Sequence, residues 1–257
     1  MKKLKILLSN DDGYQSEALQ KLALKLSSFA EVIVVAPHDE KSGVGHAFTY
    51  YKNIETIKHS YDLYTLWSVK AMPADCVKWA LCELLKNEMP DLCLSGINNG
   101  HNAGIAALYS GTVACAREAT LFNIPAIGFS ILSFAEKKTL NYSIEWICHF
   151  VKSEHWKKIE PRTFWNINFP EEKLYPFKGL RICTQGQAMY DDQYSLESQQ
   201  DDQHVWQLNG KKLPHEFEAS SDDFALAEGW ISLVPHQIET THIQSLKQLS
   251  KVDFGPL

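Results

Sequence analysis

Two adjacent aspartates, Asp11 and Asp12, stand in the segment SNDDG at residues 9–13, directly after an apolar run. Neighbouring carboxylates repel each other, and burial makes each charge more costly unless a cation compensates it. Mg²⁺ and Mn²⁺ prefer carboxylate, hydroxyl and amide oxygens, so the pair is a candidate metal site. A plain Asp-Asp-Gly turn is the alternative. Because the pair follows a predicted strand and precedes a predicted helix, the pattern favours the metal site.

Two further polar loops follow predicted strands. One is HDEKSG at residues 38–43, and the other is SGINNG at residues 95–100. In a doubly wound sheet, ligands bind beyond the carboxyl ends of the parallel strands. We therefore expect both loops and the aspartate pair to open on one edge of the sheet. His46 and His101 lie in or next to these loops and are minor candidates for proton donors or substrate contacts.

The triplet Ser110-Gly111-Thr112 opens a predicted helix. Free backbone amides, a small residue and two hydroxyls suit a phosphate group at a helix N-terminus. Ordinary N-capping by Ser110 is the alternative, and both roles can hold at once. The preceding loop combines three glycines with the amides of Asn98 and Asn102. That composition favours a shaped polar loop near a ligand, although a plain connection stays open.

Apolar periodicity predicts the elements that would position these residues. Continuous apolar runs predict buried strands at residues 4–8, 32–36, 92–94 and 126–129. Helical spacing predicts helices through residues 19–26, 74–87 and 111–121. Strands that alternate with helices and lack a polar face indicate a parallel sheet covered on both sides. The prediction is an α/β fold with a Rossmann-like, doubly wound, mostly parallel sheet in three αβα layers.

The pattern changes after about residue 160. Strand candidates occur at residues 164–169, 181–184, 204–208 and 230–234, and a polar excursion covers residues 185–203. A terminal helix is predicted over residues 242–251. We therefore expect a single domain over residues 1–257, with a core at 1–160 and a β-rich C-terminal annex at 161–257 that serves as an oligomerisation arm.

Bulk properties exclude several classes of partner. The formal charge of −6 and the absence of a Lys/Arg run argue against a nucleic-acid polymer. No apolar stretch approaches the roughly 20 residues of a membrane span, and the first apolar run is too short for a signal peptide. The six cysteines contain no C-x-x-C pair, which favours reduced, buried thiols. We expect a cytoplasmic protein. A nicotinamide-dependent oxidoreductase is disfavoured because no glycine fingerprint follows the first strand.

An ordered set of short motifs resembles the SurE family (survival protein E). The motifs are SNDDG at 9–13, VAP at 35–37, SG at 42–43, PADCV at 73–77, SGIN at 95–98, YSGTV at 109–113, IPAI at 124–127, NINFP at 166–170 and GWIS at 229–232. They span nearly the whole chain. Each motif alone is weak, whereas the ordered combination is highly specific.

The resemblance implies a 5′/3′-nucleotidase that releases phosphate from nucleoside 5′- and 3′-monophosphates by attack of a metal-activated water. Some members of the family also cleave short polyphosphate. One Mg²⁺ or Mn²⁺ per subunit is implied, with Asp11, Asp12, Ser42 and Asn98 as its ligands. Asp11 and Asp12 would be the catalytic residues. A homodimer or homotetramer with an exchanged C-terminal extension is also implied.

The phosphate contacts implied by the motif match are Asn10, Asn98, Asn102, Ser110, Gly111 and Thr112. The alternative function is a catalytically weak nucleotide-binding or sensor protein on the same fold, but an intact set of oxygen ligands favours the enzyme. Three departures from the family pattern stand out: Ile105-Ala106 where acidic residues are common, Ala71-Met72 in place of Gly-Thr, and Ser221-Asp222 in place of Thr-Asp. None replaces a proposed metal ligand.

Overall fold

Strands and helices alternate along most of the chain in the computed structural model, which describes residues 3–133, 137–213 and 218–252. The strands are β1 (Leu4–Ser9), β2 (Ala30–Pro37), β3 (Thr56–His59), β4 (Thr65–Val69), β5 (Leu92–Asn99), β6 (Ala126–Ile131), β7 (Thr163–Phe169), β8 (Leu180–Ile182), β9 (Gln193–Gln200), β10 (Gln203–Asn209) and β11 (Ile231–Gln237). The α-helices are α1 (Glu17–Ser27), α2 (Pro73–Trp79), α3 (Gly111–Leu121), α4 (Lys137–Lys152), α5 (Asp222–Ala227) and α6 (Ile243–Leu249).

Nine strands form one sheet in the order β3-β4-β2-β1-β5-β6-β7-β11-β8. The six strands from β4 to β7 run parallel to their neighbours, while β3 pairs antiparallel with β4 and β11 pairs antiparallel with β7. Helices α1 and α4 pack together on one face, and α2 and α3 pack together on the other. The predicted doubly wound, mostly parallel α/β fold is confirmed.

The core lies in two layers because each buried strand has apolar side chains on both faces. In β1, Ile6 and Leu8 pack into the layer of α1 and α4, whereas Leu7 packs into the layer of α2 and α3. Successive side chains of a strand point to opposite faces. A strand buried on both sides therefore reads as a continuous apolar run, and it must end in polar residues where it reaches the ligand edge.

Three strands after residue 160, namely β7, β8 and β11, belong to the central sheet. The sequence pattern predicts a β-rich annex there, but β7 pairs with β6, β11 pairs with β7, and β8 pairs with β11. Hydrogen bonding to β6 gives β7 a partner that local periodicity does not reveal. Among the strands of the described residues, β9 and β10 alone lie outside this sheet, as a two-stranded antiparallel hairpin with half-exposed apolar side chains. The predicted polar excursion at residues 185–203 therefore contains the first strand of this hairpin.

Several elements differ from the predicted ones. The predicted helix at 74–87 is the shorter α2 followed by a π-helical turn at Ala80–Leu84. Helix α4 was not predicted, although Leu140, Ile144, Ile147 and Val151 recur at helical spacing and are buried. Strands β3 and β4 were also missed, since β3 is a short edge strand that lacks the apolar run of a central strand. No helix within the described ranges is long and apolar enough to span a bilayer.

Candidate active site

Asp11 lies at the carboxyl end of β1 and is held against the N-terminus of α3. Its carboxylate accepts a hydrogen bond from the hydroxyl of Thr112, and the backbone amides of Thr112 and Gly111 also stabilise its charged form. The lack of a side chain at Gly111 permits this approach: a Cβ there would lie 2.7 Å from the Asp11 Cβ. The positive end of a helix dipole therefore faces one of the two carboxylates.

Both carboxyl groups of the pair have raised pKa values. Burial raises the pKa of Asp11 and outweighs the hydrogen bonds from Thr112 and Gly111, which act to lower it. Burial and then repulsion by Asp11 and Glu40 raise the pKa of Asp12 to about 7, against the lowering effect of the Asn99 backbone amide. Two crowded carboxylates in a desolvated site are stabilised when a cation binds them.

Two buried oxygens of the SNDDG segment lack a hydrogen-bond partner in the described part of the chain. They are Oδ2 of Asp12 and Oδ1 of Asn10. The other polar atom of the Asn10 side chain, Nδ2, donates to the carbonyl of Gly13 at 3.0 Å. A buried oxygen without a donor is costly, and an oxygen-seeking cation or a ligand hydrogen-bond donor would satisfy it.

Asn98 reaches the same edge through an irregularity in β5. The register between β5 and β6 shifts between Ser95 and Asn98. Gly96 makes this possible, since it has φ +121° and a Cβ there would overlap the carbonyl oxygen of Phe129. The Nδ2 atom of Asn98 donates to the Gly100 carbonyl at 2.8 Å, which orients the amide and leaves its oxygen available to a ligand.

Ser42 is tied to the aspartate pair through its loop. The Lys41 amide donates to the Asp11 carbonyl at 2.8 Å, and the exposed Ser42 hydroxyl donates to Glu40 Oε1 at 2.8 Å. Glu40 is therefore a charged neighbour of both Ser42 and Asp12 that the sequence reasoning missed. Its position in HDEKSG, immediately after the second strand, was the available signal.

The predicted phosphate contacts divide into two groups. Ser110 is the N-cap of α3, and its Oγ accepts from the Val113 amide at 3.0 Å. Gly111 and Thr112 lie against Asp11 as described above. Asn102 is directed inward instead: its Nδ2 donates to Ser130 Oγ at 2.8 Å, and its backbone amide donates to Asn168 Oδ1 at 2.8 Å. Asn102 therefore anchors the loop in this structure.

Asp222 is a second residue that the sequence reasoning did not assign to the site. Its buried carboxylate accepts backbone hydrogen bonds from Gly104 at 2.9 Å, from Gly186 at 2.8 Å and from Asp223 at 2.9 Å. One side chain thus joins the end of the Asn-rich loop to the segment that leads into the β9–β10 hairpin. Two departures from the family pattern therefore lie near this bond, since Ser221 precedes Asp222 and Ile105-Ala106 follows Gly104.

The two histidines of these loops have structural partners. The Nε2 atom of His46 lies 2.9 Å from Glu118 Oε2, and Lys78 contacts the same carboxylate. The Nε2 atom of His101 donates to the Phe169 carbonyl at 2.7 Å, and burial lowers the pKa of His101. His101 is therefore a neutral donor that holds the loop end to β7.

A metal ion at this edge would be held by few carboxylates. No group of three or more His, Cys, Asp or Glu side chains suited to a metal occurs within the described ranges. The candidate ligands at or after the carboxyl ends of β1, β2 and β5 are instead two aspartates, an asparagine amide and a serine hydroxyl. This is the donor set that a hard divalent cation with several retained waters accepts.

Comparisons with known proteins show which family the chain resembles. Residues 6–192 match the family model described as Survival protein SurE. A protein of Flavobacterium psychrophilum named 5'-nucleotidase SurE is 35% identical, covering 99% of this chain and 100% of that protein. One of the same name from Campylobacter lari is 39% identical, covering 96% of this chain and 97% of its own. The crystal structure of the SurE protein from Aquifex aeolicus is similar with a TM-score of 0.80 and 29% identity, over 95% of this chain and 98% of that one.

Proposed function

The chain belongs to the SurE family, and from that premise we propose that it is a metal-dependent phosphohydrolase that releases phosphate from nucleoside 5′- and 3′-monophosphates. It is a nucleotidase by enzyme class, as are the relatives that carry the name 5'-nucleotidase SurE. The observation that carries the proposal is the convergence of Asp11 and Asp12 with the capped N-terminus of α3, where a cation and a phosphate can be held side by side.

We assign Asp11, Asp12, Ser42 and Asn98 as the residues that would hold one Mg²⁺ or Mn²⁺ per subunit. Asp12 Oδ2, which has no hydrogen-bond partner among the described residues, and the raised pKa values of both aspartates support this assignment. A bound divalent cation supplies charge neutralisation at the phosphate and lowers the pKa of the water that attacks phosphorus. Without it, the two carboxylates would repel a phosphate dianion.

The residues of the chain supply position and proton transfer. Asp12 Oδ2 accepts no hydrogen bond from the described residues, and it can accept a proton from the attacking water. The Thr112 hydroxyl and the α3 amides fix Asp11, so that Asp12 is the freer of the two carboxylates. The N-terminal dipole of α3 favours charge on the phosphate oxygens next to Ser110.

The remaining phosphate contacts are proposed from the same geometry. Asn10 Nδ2 donates to the Gly13 carbonyl and Asn98 Nδ2 donates to the Gly100 carbonyl. These hydrogen bonds hold both side chains at the edge of the sheet. Asn102 can reach a phosphate only if its bond to Ser130 opens. We also propose activity on short polyphosphate, a homodimer or homotetramer that uses the β9–β10 hairpin as its arm, and a cytoplasmic location.

The experiment is a phosphate-release assay with a panel of nucleoside 5′- and 3′-monophosphates and short polyphosphate. The protein is assayed with Mg²⁺, with Mn²⁺ and after treatment with chelator. We expect release from monophosphates that requires a divalent cation and returns when the cation is restored. Binding of nucleotides without release would support the sensor alternative, and release that persists in chelator would contradict the metal assignment.

A further inference from the structure

A cavity of about 580 Å³ lies away from the aspartate pair, between α3, β11 and residues 183–185. None of its described lining residues is Asp or Glu, and its polar lining comes from Arg117, Thr184, Gln185, His236, Gln237 and Thr240. Arg117 is seven residues beyond Ser110, which corresponds to about 10 Å along a helix axis. The cavity therefore lies beside the same helix as the candidate active site but farther along it.

Arg117 carries a charge that no described residue balances. Its guanidinium makes no hydrogen bond or ion pair within the described parts of the chain, and it packs over the ring of Phe164 at 5.7 Å. Arg117 is partly buried, and this burial lowers the pKa of its guanidinium. A guanidinium stays charged at any ordinary pH, so its desolvation has to be offset by an aromatic face or by an anion.

His236 places a second basic group at the same cavity. Its ring stacks on Phe164 with a centroid distance of 5.3 Å, and its Nε2 is buried without a hydrogen-bond partner in the described part of the chain. Burial, with a further contribution from the charge of Arg117, lowers the pKa of His236 to about 4. No acidic side chain is among the described lining residues, so an oxyanion would stabilise both basic side chains.

We propose that this cavity binds a phosphate-type oxyanion, with Arg117 as the charged ligand and His236 as a second donor. A guanidinium offers paired N–H groups that match a phosphate, and Thr184 and Gln185 provide neutral hydrogen-bonding groups around it. The volume accommodates either free phosphate or the phosphate of a nucleotide. The site is separate from the aspartate pair, so its existence does not depend on the proposed reaction.

Two lining residues connect the cavity to the Asn-rich loop. Gln185 Nε2 donates to the Gly104 carbonyl at 2.9 Å, and Leu108 belongs to the helical turn that begins at Gly104. An oxyanion that recruits Gln185 would compete with this bond. An occupant of the cavity would therefore affect the loop that precedes Ser110.

The test is calorimetric titration of the metal-free, full-length protein in chelator with inorganic phosphate, and separately with AMP. Without a cation the aspartate pair repels phosphate, so binding reports the second cavity. We expect binding by the unaltered protein, at least a tenfold loss of affinity in Arg117→Met, and partial retention in Arg117→Lys. The matched control is Arg162→Met, an exposed arginine outside the cavity, which should bind as the unaltered protein does.

An NMR titration of the His236 ring gives an independent readout. Phosphate bound beside the ring should raise the pKa of His236 in the unaltered protein and in Arg162→Met, but not in Arg117→Met. Binding of phosphate alone or of AMP alone identifies which source supplies the oxyanion. The proposal is overturned if millimolar phosphate and AMP both fail to bind, or if folded Arg117→Met binds them unchanged. It is also overturned if Arg117→Met alters only the oligomeric state, because an acidic group of a second copy would then be its partner.

Discussion

Replacing Gly111 with alanine tests whether the position of Asp11 controls turnover. A Cβ at Gly111 would lie 2.7 Å from the Asp11 Cβ, 2.9 Å from its Oδ2 and 2.9 Å from Pro73 Cγ. Ordinary carbon–carbon contacts are about 3.5–4.0 Å, so the two groups must separate by about 1 Å. Because Gly111 is helical and has no positive φ, the substitution changes packing and leaves the backbone conformation allowed.

The expected effect on activity is larger than the effect on stability. A displacement of about 1 Å at a catalytic group can cost about 10²-fold in rate, and we expect a loss of kcat of that order. Overpacking costs about 1–3 kcal/mol, and alanine recovers up to about 1 kcal/mol of helix propensity. The free energy of unfolding should therefore fall by only about 1–2 kcal/mol, and the variant should remain folded.

The measurements are phosphate release from AMP with saturating Mn²⁺ or Mg²⁺, and denaturant unfolding of the same preparations. The matched control is Gly128→Ala in β6, where the nearest atoms to an added Cβ are 3.7 Å away and little should change. If Gly111→Ala keeps a kcat within a few-fold of the unaltered protein while Asp11 is displaced, the proposed role of Asp11 is refuted.

Three further predictions follow from other parts of the structure. Asp12→Asn should abolish phosphate release while the protein remains folded by circular dichroism, and global unfolding would instead indicate a structural turn. Asp222→Ala should lower the free energy of unfolding by about 3 kcal/mol or more, because three backbone amides lose their buried acceptor. The substitution should also speed hydrogen exchange at the Gly104 amide, and unchanged exchange there would contradict the hydrogen bond from Gly104 to Asp222. The pKa of His236 is about 4 in the folded protein and 6.5 for a free imidazole side chain. The free energy of unfolding should therefore be higher by about 3 kcal/mol above pH 6.5, and this contribution is lost as the pH falls towards 4. In phosphate-free buffer, the free energy of unfolding should depend less steeply on pH in His236→Gln than in the unaltered protein. An identical pH dependence in the two proteins would contradict the lowered pKa of His236.

The sequence predicted the fold class because its signals are local. Apolar runs that alternate with helical spacing specify buried parallel strands, whatever their partners are. The same local logic placed the aspartate pair at the end of β1 and Ser110 at the cap of α3. Even so, α4 was missed although its periodicity was present, and the strands after residue 160 were assigned to an annex because periodicity does not identify a strand's neighbour.

The sequence by itself determined which groups could do chemistry here: two adjacent aspartates, an asparagine loop and a capped helix. Only the tertiary structure decided how they are held. The bond from the Gly104 amide to Asp222 joins residues 118 positions apart, and the approach of Arg117 to His236 joins two different elements. Burial and long-range hydrogen bonds set the pKa values and the free energies of such groups, and both depend on distances in space that spacing along the chain does not encode.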